Sequence, residues 1–246
     1  MGASCYIGTS GFSYDHWSGP YYPSEIRQNE RLAFYARDFT TVEINATFYR
    51  LQSAQSYKRW KGDTPLSFRF SVKGSRYITH LKRLRDTGEA VARFYALADE
   101  LGEKLAVTLW QTPPDFYKDL NLLADFLTLL KAQAPSGVRH AFEFRSEDWF
   151  TGETYSLLDS HGCGLVIADS DLYPTQTDVV CGGFIYLRLH GRKANGYNYR
   201  EIDLKPWADK IASWMAEDID VYAYFNNDTK GFAIRNALSL RRMLKM

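Results

Sequence analysis

The stretch YLRLHG (Tyr186–Gly191) decides the fold. Leu187 and Leu189 alternate with Tyr186, Arg188 and His190, so a strand here has one aliphatic face and one face bearing a guanidinium and an imidazole. The aliphatic face calls for a covering layer of helices, and the polar face calls for a lumen where charges can pair or meet ligand.

Seven other apolar runs end in the same manner. Cys5–Ile7 leads to Thr9 and Ser10, Thr41–Ile44 to Asn45, Ser67–Val72 to Lys73, and Leu105–Leu109 to Gln111. Ala141–Phe144 leads to Arg145, Leu165–Ala168 to Asp169, and Val221–Phe225 to Asn226, Asn227 and Asp228. Between them fall helical spacings such as Leu32, Tyr35, Ala36, Phe39 and Val91, Phe94, Tyr95, Ala98, Leu101. The same spacing recurs in Trp207, Ile211, Trp214, Met215 and in Ala233, Ala237, Leu240, Leu244. Strand and helix alternate, which predicts an α/β protein with a parallel sheet closed into a single (β/α)8 TIM-type barrel spanning residues 1–246. An open doubly wound sheet would want a glycine fingerprint after the first strand, and Gly8, Gly11 and Gly19 lack the G-x-G-x-x-G spacing.

Two connections break the pattern. Gly11–Asn29 is long and carries Phe12, Tyr14, Trp17, Tyr21 and Tyr22, which suits a lid over the barrel mouth. Ser170–Gly183 holds Pro174 and few helix formers, so the helix after the sixth strand is expected to be missing or irregular.

Composition narrows the function classes. A net charge of +1 argues against whole-molecule attraction to polyanions, and no apolar stretch approaches the ~20 residues of a membrane span. Cys5, Cys163 and Cys181 contain no C-x-x-C, so they read as inert thiols in a reducing compartment; with no basic-then-apolar leader visible, a cytoplasmic location is expected.

The same period-two alternation sends Glu43, Arg69, Lys73, Glu143, Arg145, Arg188 and His190 toward the lumen or its mouth. Charges from several strands meeting at one end are how barrel enzymes assemble a site. Glu143 and His190 are the candidate acid–base groups, with Asp169 a third catalytic candidate. Lys73, Arg145 and Arg188 could clamp a phosphate or carboxylate, with Asn45, Gln111, Asn226 and Asn227 as polar donors and Tyr14 and Trp17 closing from the lid. Asp228 is expected to cap the last helix near Gly231.

At this point the residues resemble a known family. GTSGFSYDHWSGPYYP (Gly8–Pro23), TVEINATFYR (Thr41–Arg50), ITHLKRL (Ile78–Leu84), QTPPDF (Gln111–Phe116), EFRSEDW (Glu143–Trp149), YLRLHG and VYAYFNNDTKG (Val221–Gly231) are similar to blocks of the domain-of-unknown-function family 72, or YecE-like proteins. The likeness runs from residue 6 to about 244 and implies a TIM-type barrel, but it names no reaction. Where the family often has His-Pro-Ser-Trp after its Glu-x-Arg, this chain has Ser146, Glu147 and Asp148 before Trp149, so that imidazole is absent. Thr112 stands where the family tends to have leucine.

The histidine-rich zinc cluster of apurinic-site endonuclease barrels, which the family distantly resembles, cannot be assembled from His16, His80 and His190, the imidazoles not placed away from the mouth. No cofactor is expected, although a single Mg²⁺ or Mn²⁺ on Glu143 and Asp169 is chemically allowed. A glycosidase built on Glu43 and Glu143 is disfavoured, since the ends of strands four and seven carry Gln111 and Arg188–His190 rather than glutamates. The reading that remains is an enzyme acting on a phosphoester or other anionic small molecule by hydrolysis or acid–base chemistry. The alternatives are a nucleic-acid-binding or processing protein, resting on the basic stretches Lys73–Arg85 and Gly191–Arg200, and a small-molecule sensor without turnover.

Overall fold

A computed structural model describes residues 2–246. The strands are β1 (Cys5–Thr9), β2 (Thr41–Ile44), β3 (Arg69–Lys73), β4 (Leu105–Gln111), β5 (Arg139–Glu143), β6 (Gly164–Ser170), β7 (Phe184–Gly191) and β8 (Asp220–Phe225). They form one parallel sheet in the order β1-β8-β7-β6-β5-β4-β3-β2. The helices are α1 (Arg31–Tyr35), α2 (Ala46–Tyr49), α3 (Ala54–Gly62), α4 (Gly88–Ala98), α5 (Leu120–Gln133), α6 (Gly152–Ser160), α7 (Glu201–Ala216) and α8 (Phe232–Met243). The chain runs from β6 to β7 with no helix between them, as the composition of Ser170–Gly183 predicts.

The seam between β1 and β2 closes the barrel by an unusual route. Ser10 and Glu43 form a single parallel bridge, and Gly11 N donates to Glu43 O at 2.7 Å. Below it, the Tyr35 hydroxyl of α1 accepts from Thr9 N at 3.0 Å and donates to Thr41 O at 3.1 Å. A phenol thus relays what a ladder hydrogen bond would otherwise join. Gly8 permits the approach, because a Cβ there would lie 2.4 Å from Thr41 O.

Side chains sort by alternation. Val42, Ile44, Phe68, Phe70, Val72, Phe142, Phe144, Leu187 and Leu189 are buried in the outer core against the helices. The lumen has its own smaller core, in which Val107, Leu109, Ala141, Val166, Phe184, Tyr186, Tyr222 and Tyr224 fill the lower part. Tyr224 Oη meets Thr41 Oγ1 at 2.7 Å and Ser71 Oγ at 2.8 Å, so its hydroxyl is satisfied inside the barrel. The charged residues lie above this plug.

The segment after β1 is pinned rather than loosely draped. Trp17 is buried and donates through Nε1 to Asp228 Oδ1 at 2.7 Å, while His16 Nε2 lies 2.9 Å from Asp228 Oδ2. Asp228 therefore ties the β1 loop to the end of β8, and its side chain makes no helix-capping hydrogen bond, contrary to the capping role expected of it. No helix among the described residues is long and apolar enough to cross a membrane.

Candidate active site

Glu43, at the end of β2, is wholly buried and accepts four hydrogen bonds. Ser10 Oγ donates at 2.6 Å, Tyr186 Oη at 2.7 Å, Arg188 Nε at 3.1 Å and Arg188 Nη2 at 2.8 Å. Arg188 also donates through Nη1 to Glu143 Oε2 at 2.6 Å. Burial by itself would raise both carboxyls, but the Arg188 charge and, for Glu43, its hydrogen-bond donors outweigh it and hold both below the ordinary carboxylate range. Arg188, pulled down by burial and up more strongly by the two glutamates, stays charged. The expectation that Arg188 clamps substrate is corrected by this geometry: all three of its guanidinium nitrogens are committed to carboxylates.

Around this locked triad lies a looser shell. Arg145 reaches Glu143 Oε1 at 3.4 Å through Nε and Nη2, and its guanidinium stacks 3.8 Å from the ring of Tyr173 in the β6–β7 connection. His190 Nε2 sits 4.0 Å from Glu143 Oε1 and has no hydrogen-bond partner. Its Nδ1 is 3.3 Å from Asn226 Nδ2; with that amide donating, the neutral ring carries its proton on Nε2, facing the carboxylate side. Burial first, then Arg188, lowers the His190 pKa to about 4, so the ring is neutral near pH 7.

Lys73, at the end of β3, is buried with one hydrogen-bond acceptor, Gln111 Oε1 at 2.9 Å, and its Nζ lies 3.9 Å from the centre of the Phe48 ring. Among the described residues it has no carboxylate partner. Burial, reinforced by Arg188, lowers its pKa to about 7. Gln111 Nε2 and Asn45 Oδ1 are buried and unpartnered. A cavity of about 360 Å³ opens beside His190, Asn226 and Tyr173.

Several candidates belong elsewhere. Asp169 shares the outward parity of Ile167, and it accepts from Tyr199 Oη at 2.8 Å, Trp207 Nε1 at 3.2 Å and Arg192 Nη2 at 2.8 Å. It fastens α7 to β6 and cannot share a metal ion with Glu143 in the lumen. Among the described residues no cluster of three or more His, Cys, Asp or Glu side chains could hold a metal ion. Asn227 spends both amide hydrogens on Tyr197 O at 2.7 Å and Asn236 Oδ1 at 2.8 Å, bracing the loop after β7. Trp17 is core, as described above, and Tyr14 donates to Ser10 O at 2.6 Å with its ring 5.0 Å from Trp17. Arg69, predicted toward the lumen, donates to Leu66 O and Phe68 O at the opposite end from the mouth. Ser10, Tyr186, Phe48 and Tyr173 join the site without standing among the sequence candidates. Ser10 and Tyr186 lie at a strand end and on a polar strand face in the sequence, with nothing there to assign them to Glu43; nothing local marks Phe48 or Tyr173.

Fold and site together define a TIM-barrel protein with a buried, mixed-charge cluster at the C-terminal mouth. The chain belongs to the family described as "Protein of unknown function DUF72", whose model matches residues 6–246. It is 27% identical to UPF0759 protein YunF of Bacillus subtilis over 97% of this chain and 94% of that one. It is 30% identical to UPF0759 protein YecE of Escherichia coli K12 over 67% of this chain and 59% of that one. The crystal structure of a DUF72 family protein from Thermotoga maritima superposes with TM-score 0.85 at 31% identity, covering 99% of this chain and 100% of that one. A DUF72 family protein from Enterococcus faecalis gives a TM-score of 0.81 at 20% identity over 98% and 96% of the two chains, a likeness of fold.

Proposed function

We propose that the protein is an enzyme that binds a small anionic substrate at the C-terminal mouth of the barrel and acts on it by acid–base chemistry. The observation that carries this reading is a loosely held cation at the mouth. Arg188 binds both buried carboxylates, Glu43 and Glu143, closely, and Arg145 is left with only a long contact to Glu143. Arg145 is held to Glu143 only at 3.4 Å and keeps 17% of its side chain exposed, so it can turn part of its fork to an incoming anion.

Within that arrangement, neutral His190 presents an unpartnered Nε2–H suited to polarising a carbonyl or stabilising a developing oxyanion. Glu143, kept ionised, stabilises positive charge that forms beside it. Gln111 Nε2 supplies a further unspent donor.

The test is anion-dependent thermal stabilisation of the purified chain, followed by a turnover screen against phosphoesters and small carbonyl acids. Phosphate or a small carboxylate should raise the melting temperature of the wild type, and the apparent Kd from its concentration dependence should be at least tenfold weaker for Arg145→Ala, about the 1.4 kcal/mol of one charge-assisted hydrogen bond. Equal response in both proteins overturns the reading. A retarded complex with single-stranded DNA at low salt, lost in Lys82→Ala/Arg83→Ala and unaffected by Arg145→Ala, would favour the nucleic-acid alternative instead.

A further inference from the structure

The barrel buries two lysines, and they are solvated by the protein in opposite ways. Lys104, 4% exposed, donates to Lys61 O at 2.6 Å, Thr64 O at 2.6 Å and Thr64 Oγ1 at 3.0 Å. Its three N–H groups have three acceptors, the arrangement that suits a buried ammonium. Lys73, 8% exposed, has one acceptor and the face of one phenyl ring. Two of the three N–H groups of an ammonium would go without a protein oxygen there, and burial together with the cations Arg188 and Arg145 outweighs the attraction of Glu143 and Glu43, so holding the charged form is costly. The neutral amine avoids that cost and leaves a lone pair on Nζ.

Building on the anion-binding reading above, we infer that Lys73 is a carbonyl-capturing nucleophile, forming an imine with a small aldehyde or ketone that bears a carboxylate or phosphate. The Nζ lone pair adds to the carbonyl carbon as the C=O π electrons move onto oxygen, giving a carbinolamine. Loss of water then forms C=N. The two hydrogens of the amine leave with the former carbonyl oxygen, so amine and carbonyl give imine and one water with no oxidant or reductant. Each remaining group has a part in this step. Arg145 holds the anionic end, His190 Nε2–H bonds the carbonyl oxygen, and Glu143 offsets the positive charge of a protonated imine. Gln111 Oε1 orients Nζ, which makes Gln111 a positioning residue. The lowered pKa of Lys73, about 7, places a large share of the amine in its reactive form at neutral pH, where an ordinary lysine is almost wholly protonated.

The test is reductive trapping on the full chain. Pyruvate and, separately, glyceraldehyde 3-phosphate are incubated with the protein at pH 7.5 with cyanoborohydride, and adducts are mapped by peptide mass spectrometry. Occupancy on Lys73 should exceed that on exposed Lys58, Lys131 and Lys205 by on the order of tenfold or more, from the difference in neutral amine. Mapping every lysine in the same wild-type digest makes the result independent of whether a variant folds. Lys73→Arg should lose that adduct alone, and Gln111→Glu should reduce it by recharging Nζ. Adducts spread over surface lysines with Lys73 unmodified would overturn the inference. If phosphate still stabilises the protein in that case, the anion-binding reading stands without the imine; if it does not, both fall.

Discussion

Arg188 gives Glu43 two donors, Nε and Nη2, and gives Glu143 only one, Nη1. One guanidinium therefore neutralises most of one carboxylate and shares the other with Arg145. The inner carboxylate belongs to the scaffold, and the outer one faces the mouth.

Removing Arg188 should be the most damaging single change in the lumen. Arg188→Met leaves two buried carboxylates without their main partner, a loss of about 3–5 kcal/mol. Urea unfolding should show it. Arg188→Lys should recover little, since one ammonium cannot reproduce the two-donor contact with Glu43 while also reaching Glu143. A midpoint for Arg188→Met equal to wild type would show that the cluster does not stabilise the fold.

Acid should expose the same network. Glu43 and Glu143 have folded pKa values below their unfolded ones, so their contribution is fully present above the unfolded value and is lost as pH falls toward the folded value. His140 and His190, both near 4 when folded and near 6.5 when unfolded, act in the same direction at higher pH: the unfolded chain binds their protons first. Stability should therefore decline from pH 6.5 to 4 and then more steeply below. His190 is faced by Arg188, Arg145, Glu143, Asn226 and Tyr173, and its ring should stay neutral at pH 5.5 by nitrogen NMR. Protonation with an ordinary midpoint would contradict the burial argument.

Mildly alkaline pH isolates the lysines. Lys73 titrates near 7 when folded and near 10.5 when unfolded, so its contribution to stability rises as pH increases from 7 because the unfolded state holds the extra proton; toward pH 9–10 the thiols of Cys5, Cys163 and Cys181 and the buried tyrosines, whose folded pKa values are raised, act in the opposite direction. Lys73→Met should flatten that rise, while Lys104, lowered in the same direction, contributes what remains. An unchanged slope in Lys73→Met would mean that Nζ is charged in the folded protein.

Tyr35→Phe tests the seam. The change leaves Thr9 N and Thr41 O without their shared partner in a buried position, a cost of about 1–3 kcal/mol. Amide exchange at Thr9 should accelerate more than at residues of β4 or β5. Uniform acceleration across the sheet would argue that the phenol stabilises globally and has no local role in closure.

The sequence carried the barrel because period-two alternation and strand-end polarity are local signals. Glu43, Arg188, Glu143 and Lys73 were placed in one lumen by parity alone, and the structure brings them together. The partners of these charges were not legible: that Arg188 is spent on glutamates, and that Lys73 has no carboxylate, depends on how strands are staggered around the axis. Asp169 departs from the strand-end rule. Its place at the end of the sixth run suggests the mouth, whereas parity within the run follows Ile167 outward. Tyr173 lay beyond reach for a different reason, since it comes from an irregular connection with no periodicity to interpret.

The direct passage from β6 to β7 leaves one stretch of the barrel's outer wall without its own helix, and the tether of Asp169 to Tyr199 and Trp207 braces that side instead. Residues 175–183 cover that wall without a helix: Thr175 Oγ1 accepts from Ala168 N, Lys210 Nζ donates to Asp178 and Gly182 N to Asp159, and Cys181 is buried in the core. Leu172 and Tyr173 precede these anchors, so the doorway to the chamber can be remodelled at those two positions while the frame stays in place.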